Sequence, residues 1–114
     1  RATMKNGIYE ATFTTSVGTL GKAAVLINKR SFVGADGLQF YRGEIDQSNG
    51  EVSVIMEVTR HNFAAESPLG NQPIFTLSWK GRTLGDESFK LDCEPAGSGI
   101  RIYVTGALVK AFDQ

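Results

Sequence analysis

Hydrophobic and polar residues alternate along most of the chain with a period of two, rather than the period of about 3.6 expected for a helix. The first example is "GIYEATFT" (7–14), in which Tyr9, Ala11 and Phe13 alternate with polar side chains. The pattern returns in seven further segments: "KAAVLIN", "KRSFVG", "LQFYRGEI", "EVSVIMEVTR", "IFTLSWK", "SFKLDCE" and "IRIYVTGALVKAF". We therefore predict about eight β-strands, each with one buried face, and no helix.

Glycine-containing steps separate these strands. Asp36-Gly37 and Asn49-Gly50 are typical of hairpin turns, because glycine adopts positive φ without penalty and Asp and Asn tolerate it. "VGTLG" (17–21) is also expected to be a turn, and Pro68, Gly70 and Pro73 mark a longer loop between His61 and Gln72. In the last segment we expect Ile100, Ile102 and Val104 to face inward, with a bulge at Gly106.

An antiparallel meander of eight strands has two unpaired edges unless it closes on itself. We therefore predict one all-β domain over residues 4–114, an eight-stranded antiparallel up-and-down barrel, with a sandwich as the alternative. A barrel of this size is either filled by side chains or holds one small ligand. If Met4 is the natural start, "RAT" (1–3) is a remnant of the expression vector.

Composition narrows the function classes. Twelve basic residues balance twelve acidic ones without a basic stripe, which disfavours direct nucleic-acid binding. Such neutrality favours self-association. The longest apolar run, "AAVLI", is too short to span a membrane as a helix, and "MKNGIYEATF" lacks the apolar core of a secretory signal. With one cysteine there is no intrachain disulfide, so we expect a cytoplasmic protein.

The sequence offers no catalytic constellation, metal site or cofactor motif. A single histidine, His61, and a single cysteine, Cys93, exclude a structural zinc site within one chain. The carboxylates of Asp92 and Glu94 are predicted on the outer face of a strand, where they cannot act as a catalytic pair in a cleft. We therefore predict a protein that is not an enzyme and uses no cofactor.

Two arginines and the histidine are candidates for a ligand site at a barrel mouth. Arg60 shares strand parity with Val58 and Met56, and Arg42 with Phe40, so either could point inward and hold a phosphate or carboxylate. In the alternative, Arg60 lies beyond its strand and the inner face is formed by Tyr41, Gly43 and Ile45. His61 is then a surface histidine at a strand end.

Several segments carry a family resemblance. "MKNGIYEATF", "GLQFYRGEI" with its Tyr-x-Gly step, "RHNF", "PIFTLSWKG", "SFKLDCE" and "IRIYVTGALV" resemble, in order and spacing, the GrlR family. These are small bacterial negative regulators of type III secretion gene expression, and the resemblance covers the chain from Met4 onward. It implies a lipocalin-like β-barrel, usually a homodimer, that binds a helix-turn-helix transcriptional activator and keeps it from DNA.

In that family an acidic Glu-Asp-Glu-Asp loop after the Tyr-x-Gly strand contributes to binding the activator. The corresponding segment here is "DQSNGE", formed by Asp46, Gln47, Ser48, Asn49, Gly50 and Glu51. It keeps one acid at each end, so it would attract a basic partner only weakly. The segment is therefore a candidate partner-binding loop by resemblance, and a simple hairpin by its own residues.

Two functions follow. The first is a cytoplasmic, homodimeric regulator that represses type III secretion genes by binding a transcriptional activator. The alternative is a lipocalin-like binder of a small lipophilic or anionic ligand, which requires a hollow barrel. Four large rings would fill the interior if they all point inward, which would favour the regulator; they belong to Phe13, Phe75, Trp79 and Phe89.

Overall fold

The structure, a computed structural model, describes residues 4–62, 72–95 and 98–112. Residues 1–3 and most of the predicted loop, including Pro68 and Gly70, lie outside them. The described residues form eight strands and no helix: β1 (Gly7–Thr15), β2 (Gly18–Asn28), β3 (Ser31–Ala35), β4 (Gln39–Ser48), β5 (Glu51–Arg60), β6 (Ile74–Thr83), β7 (Ser88–Cys93) and β8 (Ile102–Ala111).

The strands form one closed barrel. Each pairs antiparallel with its neighbours in sequence, and β8 returns to pair with β1, from Gly7↔Ala111 to Thr14↔Tyr103. The predicted all-β, eight-stranded, antiparallel up-and-down barrel is confirmed, and the sandwich alternative is wrong.

The barrel core consists of the residues that the alternation placed inward. Tyr9, Ala11 and Phe13 are buried, as are the inward residues of β2, β5 and β7. Aromatic rings meet across the interior: the Phe13 ring centroid lies 5.8 Å from that of Tyr41 and 5.9 Å from that of Trp79. Since every strand contributes apolar side chains to one interior, burial of these side chains is the main force that stabilises the fold.

Both predicted hairpins are present, but they are built differently. Asn49 and Gly50 have φ of 55° and 83°, the left-handed pair that a two-residue hairpin turn requires. Gly37 does not have positive φ. The β3–β4 turn is formed instead by the Asp36 carboxylate, which accepts hydrogen bonds from the backbone N–H groups of Leu38 (2.8 Å) and Gln39 (2.9 Å).

Three local predictions are wrong. Most of "VGTLG" belongs to β2, because the pairing with β1 continues to Thr15↔Gly18. Ile100 precedes β8 and is 54% exposed, whereas Ile102 and Val104 are buried as predicted. The register shift in β8 falls at Val109, where Ile8↔Lys110 is followed by Tyr9↔Leu108, and not at Gly106.

Because neighbouring strands run in opposite directions, the turns gather at two ends of the barrel. We call one the Met4 end: it holds residues 4–6, the turns at 29–30, 49–50 and 84–87, and Phe112. The other is the Arg60 end: it holds the turns at 16–17 and 36–38, the end of β5, and the described part of the β7–β8 connection.

Candidate functional site

The barrel interior is filled. Among the described residues, an interior space of about 50 Å³ is lined by apolar side chains that include Met4, Phe13, Trp79 and Phe89. Pockets that bind small ligands are typically about 300–1,000 Å³. Three of the four predicted rings are buried, and Phe75 is half-buried against the core. The interior therefore has no room for a lipid or another small molecule of ordinary size.

At the Met4 end the barrel is closed by the segment before β1. The Met4 side chain is buried in the core, and its backbone N–H donates to Gln47 Oε1 at 3.2 Å. The next residue, Lys5, donates its backbone N–H to the Asp86 carbonyl at 2.9 Å. Outside this closure lies an open depression of about 900 Å³, whose lining includes Lys29, Asp46 and Phe112.

The candidate partner-binding loop is a tight hairpin at this end. Asp46, Gln47 and Ser48 end β4, Asn49 and Gly50 form the turn, and Glu51 begins β5. The Asp46 carboxylate accepts from Arg30 Nη2 at 2.8 Å, so one of its two acids is already paired. The Gly50 carbonyl accepts from the Thr83 N–H at 2.9 Å, which fixes the turn to β6. The segment is thus mostly exposed, hydrogen-bonded to β6 at its turn, and weakly charged.

The Arg60 end carries a buried polar cluster. Gln39 is 1% exposed and Arg60 is 9% exposed. The Tyr41 hydroxyl donates to the Asp36 carboxylate and lies 3.4 Å from Gln39 Oε1. Burial raises the pKa of Tyr41 far above its usual value, and the hydrogen bond to Asp36 and the Asp36 charge raise it further. The space beside this cluster is only about 50 Å³.

Gln39 was missed by the sequence analysis, although its parity points to it. It is two residues before Tyr41 and four before Gly43 on β4, so once Tyr41 faces inward Gln39 must do so as well. A buried amide at a barrel end requires polar neighbours, and Asp36 and Tyr41 are those neighbours.

The three candidate ligand residues do not form one site. Arg42 lies on the outer face, where its Nε donates to Glu57 Oε1 at 3.0 Å; the expectation that it points inward is wrong, because Tyr41 and Ile45 take the inner positions of β4. Arg60 stays within β5 and is buried, so the alternative in which it lies beyond its strand is wrong. His61 is exposed at the strand end, and its ring lies 4.4 Å from that of Phe40.

The candidate ligand residues and the candidate loop are also far apart. Arg60 and His61 lie at the Arg60 end, while the Asp46–Glu51 hairpin lies at the Met4 end. Strand β5 runs between them for ten residues, about 33 Å at the usual rise of a strand. They cannot contribute to a single small binding site.

The sequence analysis also missed a concentration of exposed apolar side chains on one side of the barrel. Leu26, Val33, Phe40 and Ile55 are 37%, 54%, 53% and 55% exposed, and they lie on the neighbouring strands β2, β3, β4 and β5. We call the outward side of these four strands the apolar face. The outward residues of the opposite side are mostly polar: Thr76, Ser78, Lys80, Lys90 and Thr105 are all exposed.

The register of the strands places the Arg42–Glu57 pair in the middle of the apolar face. Leu26 lies opposite Val33, Val33 opposite Arg42, and Arg42 opposite Glu57 in one cross-strand row. The adjacent rows carry Phe40, beside Thr59, and Ile55, beside Glu44. Two shallow depressions, of about 670 Å³ and 430 Å³, lie on this face, and Val33, Arg42 and Glu57 line both of them.

Other chemistry is limited among the described residues. They contain no group of three or more His, Cys, Asp or Glu side chains that could hold a metal ion. Cys93 is a buried free thiol, and burial, with the Asp92 charge beside it, raises its pKa to about 11. Such a thiol is a poor nucleophile at neutral pH. In the part of the chain that the structure describes, no helix is long and apolar enough to cross a membrane.

Comparison with known proteins adds no assignment. No protein-family model matches the sequence, and no curated protein matches it either.

Proposed function

We propose that this chain is a non-enzymatic bacterial regulator of the GrlR type, which represses type III secretion genes by binding a transcriptional activator in the cytoplasm. The proposal joins the resemblance of the sequence to one structural observation. The barrel is filled, with an interior space of about 50 Å³, while four of the nine large apolar side chains that are exposed in the described residues lie on neighbouring strands of one outer face. Clusters of exposed apolar side chains are typical of protein–protein contact sites.

The charge distribution supports a protein partner over DNA. The chain has no net charge, and five of the eleven basic side chains in the described residues form ion pairs with acids there: Lys5 Nζ, for example, lies 2.6 Å from Glu87 Oε2, and Arg30 Nη2 lies 2.8 Å from Asp46 Oδ1. A surface that binds the DNA backbone needs unbalanced positive charge. We therefore propose that the chain acts on the activator and does not compete for the operator.

The test is release of DNA by the purified activator of the native host. A labelled operator fragment bound to the activator is titrated with this chain, and fluorescence anisotropy reports the bound fraction. We expect a concentration-dependent loss of anisotropy and no binding of the chain to the fragment alone. Unchanged anisotropy at about 100 μM chain, well above typical regulatory affinities, would contradict the proposal.

The Asp46–Glu51 hairpin has a defined place in this proposal. Because Asp46 is already paired with Arg30 and the hairpin is exposed, its charge contributes little to affinity. We expect the double variant Asp46→Asn/Glu51→Gln to weaken activator binding by less than about fivefold. A loss of a hundredfold in the same titration would instead identify the hairpin as the principal contact.

The alternative function, binding of a small lipophilic or anionic ligand, has one observation in its favour. The open depression at the Met4 end has apolar residues in its lining, including Phe112, beside the basic side chains of Lys29 and Arg30. Native mass spectrometry separates the two functions. The regulator predicts the mass of the bare chain or its dimer, whereas a constant excess of a few hundred daltons per chain supports the ligand binder.

A further inference from the structure

We propose that the small space inside the barrel is a binding site for an uncharged molecule of about two to four non-hydrogen atoms, which accepts one hydrogen bond from Trp79 Nε1. A small ketone, ether or nitrile has this chemistry. The inference goes beyond the proposed function, because the site needs neither an activator nor any other protein, and it can be tested on the isolated chain.

An unpartnered hydrogen-bond donor lies in the barrel core. Trp79 is 2% exposed, and its buried Nε1 has no hydrogen-bond partner among the described residues. A buried indole N–H usually donates to an acceptor, because water no longer solvates it. Trp79 therefore presents a donor that a bound molecule with one acceptor atom would satisfy.

Trp79 also lines the interior space of about 50 Å³. Around this space its neighbours are apolar: the Phe13 ring centroid is 5.9 Å from that of Trp79, and Val54 is its cross-strand partner. Of the described residues in the lining, Trp79 alone has a side-chain N–H or O–H group. The site thus offers a single donor in otherwise apolar surroundings.

The size and chemistry of the space select its occupant. A buried water molecule typically makes about three hydrogen bonds, and the side chains of this lining supply one donor. A charged molecule would lose its hydration without a compensating charge in the lining. An apolar cavity of about 150 Å³ holds benzene, so a space one third as large suits a smaller, uncharged molecule.

A route from outside reaches this space at the Met4 end. Met4 and Ile45 line both the interior space and the open depression of about 900 Å³, so they separate the two. Met4 lies on the segment before β1, where its backbone N–H donates to Gln47 Oε1 at 3.2 Å. Since a methionine side chain is unbranched and flexible, a small molecule can pass when that of Met4 changes rotamer.

The experiment is an NMR titration of the isolated chain with acetone, which has one acceptor oxygen and no donor. Trp79 is the only tryptophan, and Met4 and Met56 are the only methionines. Because all three line the space, the indole N–H signal and the two methionine methyl signals report on it directly. We expect saturable shifts with a Kd of about 1–50 mM, and a shift of the indole proton to lower field as it becomes hydrogen-bonded.

The variant Trp79→Phe tests the donor. It removes the N–H group, and the methionine methyl signals then measure binding. Isobutene serves as the matched probe, since it has the shape of acetone but no acceptor oxygen. We expect the affinity for acetone, divided by that for isobutene, to fall at least about fivefold in this variant, because only acetone loses a hydrogen bond.

A second pair of variants tests the location. Val54→Ile fills part of the space and should weaken the binding of both molecules at least about tenfold. Val33→Ile makes the same change on the outer face, where Val33 is 54% exposed, and should leave both affinities unchanged. Circular dichroism establishes that each variant folds, and the affinity ratio in Trp79→Phe decides if Val54→Ile does not.

Three outcomes would overturn the proposal. The first is an indole signal without a saturable shift up to about 200 mM acetone. The second is an affinity ratio that Trp79→Phe leaves unchanged. The third is a nuclear Overhauser effect between the Trp79 indole proton and a long-lived water molecule, which would show that water already satisfies the donor. None of these outcomes bears on release of DNA by the activator, so the proposed function is tested separately.

Discussion

Phe89 on β7 packs over Gly106 on β8, the neighbouring strand in the barrel wall. The two residues are directly paired, and a Cβ atom on Gly106 would overlap the ring carbons Cζ and Cε2 of Phe89. The Phe89 ring also packs against Tyr9, at 5.8 Å between centroids, so it has little freedom to move away. The glycine is required here by close packing and not by backbone conformation.

We therefore expect Gly106→Ala to lower the free energy of unfolding by about 1–3 kcal/mol, the usual effect of overfilling a packed core. Urea unfolding followed by tryptophan fluorescence measures the change. Gly37→Ala is the matched control, because a Cβ there meets no atom within 4 Å, and it should change stability by less than about 0.5 kcal/mol. Equal effects of the two substitutions would contradict the packing argument.

The hydrogen bond from Tyr41 to Asp36 links the barrel core to the β3–β4 turn. Tyr41→Phe removes the donor and leaves the Asp36 carboxylate with the backbone N–H groups of Leu38 and Gln39. We expect a loss of about 1–3 kcal/mol, typical of a hydrogen bond to a charged group, measured by the same unfolding experiment. The control is Tyr103→Phe, because Tyr103 lies on the outer side of β8. If the Tyr41→Phe protein is as stable as this control, the expectation is wrong.

At the scale of the elements, the β4–β5 hairpin is specified by its turn. Gly50 has φ of 83°, a conformation that costs a residue with a side chain about 1–2 kcal/mol. Gly50→Ala should therefore destabilise the protein by about that amount, while Asn49→Gly should change stability by only a few tenths of a kcal/mol. Thermal unfolding of the two variants beside the wild type distinguishes them, and an unaffected Gly50→Ala would show that the turn relaxes freely.

The number of strands could be predicted from the sequence because every strand buries one face, so that apolar and polar residues alternate along it. Tyr9, Val25 and Leu91 are buried residues of three such alternating segments. The inner face of β4 was harder, since apolar residues occur at both parities: Phe40 outside, Tyr41 and Ile45 inside. Only the pairing of β4 with β3 and β5 selects one parity. The turn at Asp36 and the start of β8 after Ile100 likewise depend on contacts between segments that are distant in sequence.

The candidate site was less predictable for the same reason. A surface cluster forms when outward residues of different strands come into register, and no single strand of the apolar face carries more than one large, exposed apolar residue. Periodicity within a segment detects the buried face and treats the outward residues as solvent-facing. The pairing of β2 with β3 and of β3 with β4 is what brings Leu26, Val33 and Phe40 together.

For the whole molecule, three buried acidic groups of the described residues have raised pKa values, and each lowers the stability at alkaline pH. Burial, followed by the Asp86 and Glu87 charges, raises the pKa of Tyr9 to about 12; that of Cys93 rises to about 11, and that of Tyr41 rises further. Each group is neutral when protonated, so a raised folded pKa means that the unfolded chain ionises first. The stability that these groups contribute is fully present below their pKa values in the unfolded chain, which are 9.0 for Cys93 and 10.0 for the tyrosines.

We therefore expect these three groups to leave the free energy of unfolding unchanged up to about pH 9. Above that pH the free energy of unfolding should fall by about 1.4 kcal/mol per pH unit for each group that ionises only on unfolding. Urea unfolding at half-unit intervals from pH 8 to 11 measures the slope. Tyr41→Phe should show a smaller slope above pH 10 than the wild type. A stability that stays flat to pH 11 would contradict the burial of these groups.

The β1–β8 seam has a consequence for how the protein folds. Seven of the eight strand pairings join neighbours in sequence, but the seam joins Gly7 to Ala111, so closing it requires the ends of a very long loop to meet. A sheet in which the other seven pairings form before the seam would expose two free strand edges and its apolar inner surface. Such an intermediate associates readily with others. Refolding yield should therefore fall with protein concentration, although the finished barrel presents neither edge.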